Sequence, residues 1–187
     1  MKLSILPLLT TATLATTAAL PNTLDSRQDQ SQNPNPHSNP DTLIWPYRTY
    51  RWWVYDGHSK DDPQDQLLVV KDSNPRNEST ALVTFDIAPE LEGRKCKLIL
   101  DLWDRDVSTG SQTADVFSSV SPGNRDQHHG RVVVPKPGSA EWVLAMHGMP
   151  DFECPAGELI GFEFVGVGEE VGIRWDIGAT GPRVQVL

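Results

Sequence analysis

The segment NRDQHHGR, residues 124–131, gathers two adjacent histidines, an aspartate, a glutamine and two arginines within eight positions. Side chains of these types suit metal ligation, proton transfer, or hydrogen bonding at the start of a strand. On an extended chain, neighbouring side chains point to opposite faces. His128 and His129 would therefore diverge, whereas ligand pairs in a strand are spaced by two. Gly130 leads into the apolar run RVVV, which puts the pair at a strand boundary. The expectation is that His128, with Asp126 and Arg131, fixes a turn into a strand, and that no metal is held here.

Two acidic groups invite a similar comparison. DLWDRD supplies Asp101, Asp104 and Asp106, and a second group holds Asp61, Asp62 and Asp65. Carboxylates at D-x-D spacing suit a calcium loop, but the glycine and distal glutamate that complete such a loop are missing. Both groups read as exposed acidic strand ends. Paired carboxylates could also hydrolyse a glycosidic bond. With 25 acidic residues in the chain, such pairs can be drawn almost anywhere, so the pattern does not discriminate. The chain has no G-x-S-x-G elbow and no H-E-x-x-H motif, the signatures of two large hydrolase classes. No catalytic residue, metal ligand or cofactor is assigned.

The aromatic residues give a stronger lead. In RWWVYD, strand alternation sends Trp52 and Val54 to one face and Arg51, Trp53 and Tyr55 to the other. One face must join the core. Trp53 and Tyr55 on the other are candidates to face a ligand, since flat rings beside polar groups suit stacking on a sugar or docking a partner.

The elements that position these residues have the two-residue period of half-buried strands. STALVTFDI aligns Ala81, Val83, Phe85 and Ile87. KCKLILDLW aligns Cys96, Leu98, Leu100 and Leu102 against Lys95, Lys97 and Asp101. LIGFEFVG aligns Ile160, Phe162 and Phe164 and turns Glu163 outward, and EVGIRWD aligns Val171, Ile173 and Trp175. QLLVVK, ADVFSSV, RVVVP, EWVLAM and RVQVL are further strand candidates, separated by turns rich in glycine and proline. No window carries a long helical stripe. About ten short strands predict an all-β fold, a single antiparallel β-sandwich of jelly-roll or immunoglobulin-like type.

Residues 1–19 have the form of a signal peptide: Lys2, then apolar and small residues, then Thr17-Ala18-Ala19 at the expected cut. Residues 20–44 are dominated by Gln, Asn, Pro, Ser and Asp and are expected to form a disordered linker or pro-segment. The β-sandwich domain is expected over 45–187, which holds all six tryptophans. Losing Lys2 with the leader takes the formal charge from -9 to -10. So acidic a chain without a basic patch is a poor partner for nucleic acid or an anionic membrane. Cys96 and Cys154, an even pair in an exported chain, are expected to form one disulfide. Asn77-Glu78-Ser79 is an N-glycosylation sequon in a turn-rich segment, which makes Asn77 the expected acceptor.

Three strings, VSTGSQTADVFS (107–118), NRDQHHGRVVV (124–134) and FECPAGELIGFEFVGVGEEVGIRWD (152–176), resemble the fungal But-two C-terminal domain family. The resemblance runs from about Cys96 to Trp175, with a histidine at 129 where the family more often has an apolar residue. It implies a secreted fungal β-sandwich and supplies no catalytic residues. The family takes its name from a member that binds a ubiquitin-like-activating enzyme. That enzyme is intracellular, so the partner does not suit a chain with an export signal.

Together these features predict a secreted, monomeric, non-enzymatic module of the extracellular space or cell wall, partnered by a protein or a cell-wall polysaccharide. The alternatives are a carbohydrate-binding module using exposed aromatics and a hydrolase whose carboxylates the sequence does not identify.

Overall fold

A computed structural model of the chain describes residues 43–187. The leader expected over 1–19, and all of the expected 20–44 linker except Leu43 and Ile44, lie outside the described residues. The first strands are β1 (Leu43–Ile44), β2 (Arg48–Trp53), β3 (Ser59–Asp61), β4 (Val69–Lys71) and β5 (Ser79–Asp86). Next come β6 (Lys95–Leu102), β7 (Val107–Gly110), β8 (Thr113–Ser118), β9 (His128–Val133) and β10 (Gly138–Ser139). The last are β11 (Glu141–Ala145), β12 (Asp151–Glu153), β13 (Leu159–Gly166), β14 (Val171–Arg174) and β15 (Gly181–Val186). A 3-10 turn at Pro89–Leu91 interrupts them.

The strands form two antiparallel sheets. The smaller has the order β1-β15-β6, with β10 and β12 both paired to the far edge of β6. The larger runs β3-β2-β5-β13-β8-β9-β11, and β4, β14 and β7 extend it from the end of β5. Both sheets contribute to one apolar core, as two-residue alternation requires. Ala81, Val83, Phe85 and Ile87 from the larger sheet meet Leu98, Leu100, Leu102 and Val184 from the smaller. The fold is an all-β sandwich.

The Cys96–Cys154 disulfide closes a sequence separation of 58 residues and ties β6 to the turn after β12. Leu43 and Ile44 depart from the composition-based boundary: they pair with Gln185 and Val184, and Ile44 packs against the core. Two apolar residues at the end of a polar segment suffice for one rung of sheet. The strand expected at RWWVYD begins three residues earlier, at Arg48, and yields to a turn after Trp53.

The outward side of the larger sheet is also covered at β5. Thr80, Leu82 and Thr84 of β5 are buried. The segment between β8 and β9 lies over this side at Trp52. Gly123 sits there at φ +73°, and a Cβ on it would fall 2.5 Å from the Trp52 ring. Only glycine combines that backbone conformation with so close an approach.

Candidate functional site

A β-bulge organises the histidine segment. In the β8–β9 ladder Val116 pairs with Gly130 and Phe117 with His128, so His129 is the extra residue. A bulge offsets the alternation by one. His128 and Arg131, three apart, consequently share a face with Asp115. Arg131 grips Asp115 through two hydrogen bonds, Nε to Oδ1 at 2.7 Å and Nη2 to Oδ2 at 3.1 Å. His128 Nε2 lies 3.5 Å from Asp115 Oδ1, and its ring packs on Phe117 at 4.7 Å. The strand start is thus fixed by Asp115 on β8, not by Asp126 as expected. Asp126 contributes its backbone N–H, which donates to the carbonyl of Ser118. Periodicity extrapolated across the segment misses this, because the bulge appears only when the strands pair.

His129 turns instead toward the Phe162 ring at 5.8 Å and the His147 ring at 6.1 Å. His147 lies in the turn after β11, closed by Met149 N–H donating to the Met146 carbonyl at 3.1 Å. It takes a left-handed conformation with φ +54°, a region that histidine enters more readily than most side chains. The two imidazoles overlook an open cleft of about 580 Å³ at one end of the sandwich. Met149, Phe152, Ile160 and Phe162 supply its apolar lining, and Asp126 and Arg125 supply polar groups beside the histidines. Burial, reinforced by His147 and His128, holds the His129 pKa below the ordinary imidazole value, while Asp126 opposes the shift. His129 Nδ1 is buried without a partner among the described residues.

The hydroxyls of the cleft are already engaged. Ser119 Oγ lies 2.7 and 3.0 Å from the carbonyls of Ser121 and Asn124, and Ser118 Oγ accepts the Gln127 N–H at 2.9 Å. They hold the 119–127 segment in shape. Among the described residues no three His, Cys, Asp or Glu side chains are grouped closely enough to hold a metal ion. What the arrangement can do chemically is bind: apolar surface takes a hydrophobic group, and the two imidazoles and a carboxylate orient its polar end.

Beneath this wall lies a carboxylate that alternation places outward, toward solvent. Glu163 is fully buried. Its Oε1 accepts Arg125 Nε at 2.9 Å and the Thr80 hydroxyl at 2.7 Å, and its Oε2 accepts the Gly123 N–H at 3.1 Å. The Arg125 guanidinium also lies 5.7 Å from the Trp52 ring centroid and 5.8 Å from that of Phe117. Glu163 thus pins the segment that forms one wall of the cleft.

The acidic groups divide differently from the expectation of exposed strand ends. Asp101 is buried, bonded to Arg183 and to the Ser139 hydroxyl. Asp106 is buried as well and accepts the N–H groups of Trp103 at 2.7 Å and Asp176 at 3.1 Å, closing a turn. Asp104 is exposed. Asp61, Asp62 and Asp65 are exposed, and Asp61 pairs with Arg48.

Trp53 stacks on His58 with ring centroids 4.1 Å apart and carries the Arg51 guanidinium 4.3 Å from its own centroid. Much of the ring surface a sugar would need is therefore occupied. Tyr55 is 60% exposed, with Arg76 5.2 Å from its ring centroid. Asn77 is exposed and donates a side-chain hydrogen bond to Asp72 at 2.9 Å. His147 is the residue that sequence reasoning passed over: a lone histidine in AMHGMP gives no signal until β11 and β12 bring its turn beside β9.

No protein-family model matches the chain, and no curated protein matches it.

Proposed function

We propose that this chain is a secreted, non-catalytic interaction module whose end cleft receives an uncharged, partly apolar group of a protein or small-molecule partner. The observation that carries this reading is the cleft itself. Its volume falls within the range of small-molecule sites, roughly 300–1,000 Å³, and it sets the His129 and His147 imidazoles beside an apolar lining. The engaged Ser118 and Ser119 hydroxyls leave these histidines as hydrogen-bonding groups. Export is supported by the leader-like N-terminus and by the Cys96–Cys154 disulfide, a bond that persists in oxidising compartments. The motifs shared with the But-two C-terminal domain family point to the same setting.

The test has two arms. Produced with its leader in a secretory host, the full chain is expected in the medium with a new N-terminus near Leu20 and the disulfide formed; retention inside the cell would overturn the export reading. Titrating the secreted protein with indole, a small apolar probe with one polar N–H, is expected to shift the imidazole resonances of His129 and His147. Phe152→Ala should weaken that binding about tenfold, the factor equivalent to 1.4 kcal/mol. Unmoved resonances refute the cleft as the site. Turnover of a polysaccharide that disappears in His147→Ala refutes the non-catalytic reading.

A further inference from the structure

On a different surface, and independently of the cleft, we propose a second binding site: a groove for a neutral pyranose oligosaccharide formed by Trp45 and Tyr47. These two rings are 42% and 59% exposed. They flank Pro46 and line a groove of about 490 Å³ whose other walls include Arg48, Asp61, Asp62 and Ile177. Such a groove offers the two components a sugar requires, flat apolar faces for its C–H surface and charged hydrogen-bonding groups for its hydroxyls.

The Trp45 ring is held in place from below. Arg183 and Asp101 share the outward face of the smaller sheet, on paired strands β15 and β6, and form a buried ion pair. The Arg183 guanidinium lies 5.3 Å from the Trp45 ring centroid. A buried cation fixed by Asp101 thus anchors one side of the indole, and the exposed part faces the groove. Anchoring a ring before the ligand arrives removes part of the ordering cost of binding.

The groove also contains an unmet hydrogen bond. Thr49 lines it, is 2% exposed, and its hydroxyl has no partner among the described residues. Buried hydroxyls ordinarily find a partner, and a sugar hydroxyl or an ordered water at this position would supply one. The charge of the groove selects the class of sugar. Asp61 and Asp62 outweigh Arg48, and the chain as a whole carries -9. Uronic and sulfated sugars are repelled, while a neutral glycan is not. The groove thus differs from the Trp53 surface, whose ring is already stacked.

The experiment uses the full secreted chain and three soluble hexaoses: β-1,3-linked glucose, β-1,4-linked glucose and β-1,4-linked N-acetylglucosamine. Binding is read by tryptophan fluorescence and by calorimetry. At least one hexaose is expected to bind. Trp45→Ala and Tyr47→Ala should each weaken it tenfold or more, and Thr49→Val severalfold. Trp53→Ala and Phe152→Ala should leave it unchanged, which separates this groove from both the Trp53 surface and the end cleft. Tyr47→Ala guards against a folding artefact, since Tyr47 is exposed, and thermal melts of every variant check that the fold is retained. Failure of all three hexaoses to bind overturns the proposal. So does undiminished binding by a folded Trp45→Ala/Tyr47→Ala double variant.

Discussion

Replacing Arg125 with alanine should destabilise the domain mainly through what it leaves behind. Glu163 is fully buried, and Arg125, with 30% of its side chain exposed, is its cationic partner. Removing one member of a buried pair ordinarily costs about 3–5 kcal/mol, because the other charge stays desolvated and unpaired. Two features moderate the loss here. Glu163 keeps the Thr80 hydroxyl and the Gly123 N–H, and partial exposure of Arg125 screens the pair. Together they bring the electrostatic loss to about 2 kcal/mol. The guanidinium's contacts with the Trp52 and Phe117 rings add on the order of 0.5–1 kcal/mol. The total, about 3 kcal/mol, should lower Tm by roughly 9–12 °C in a domain of this size.

Thermal melts and urea unfolding of the wild type, Arg125→Ala, Glu163→Gln and the double variant form a cycle that isolates the charge pair. Once Glu163 is neutral, removing Arg125 should cost only about 1 kcal/mol, the worth of its ring contacts and a neutral hydrogen bond. An equal cost for Arg125→Ala in both backgrounds would refute the reasoning. It would mean that Arg125 stabilises by packing alone and that the 119–127 segment is not pinned by charge.

Removing the disulfide with Cys96→Ala/Cys154→Ala should cost about 4 kcal/mol, from the loop entropy of a 58-residue separation; urea midpoints that coincide with the wild type would contradict this. His129 has a folded pKa below its ordinary value of 6.5, so unfolding takes up a proton in acid. Its contribution to stability is complete above about pH 6.5 and is lost as pH falls through the folded value. Melts between pH 5 and 7.5 should therefore show a shallower acid loss for His129→Gln than for the wild type, and identical slopes would exclude His129 as the source. Asn77 is exposed, so protein from a glycosylating host should carry an endoglycosidase-sensitive mass that Asn77→Gln abolishes, with stability unchanged to within about 0.5 kcal/mol. An intact-mass spectrum of the wild type without that increment would rule the modification out.

The fold class was legible because it rests on local alternation. At Ala81, Val83, Phe85 and Ile87, and at Cys96, Leu98, Leu100 and Leu102, apolar residues recur every second position and the aligned side chains are buried. The burial cost of backbone polar groups forces such segments to pair into sheets. The disulfide was legible for a similar reason, since only two cysteines were available. Alternation states which face a residue takes, but not what lies over that face. Glu163 and Asp101 both point away from the core, yet both are buried, because Arg125 lies 38 positions before one and Arg183 lies 82 after the other. Their partners reach them only through tertiary contact. The cleft has the same origin. A single extra residue at His129 realigns His128 and Arg131 onto Asp115, and a turn from another hairpin brings His147 beside His129. Local periodicity determined the sheets of this protein; pairing register and long-range packing decided which of its polar residues meet, and therefore where a ligand could be held.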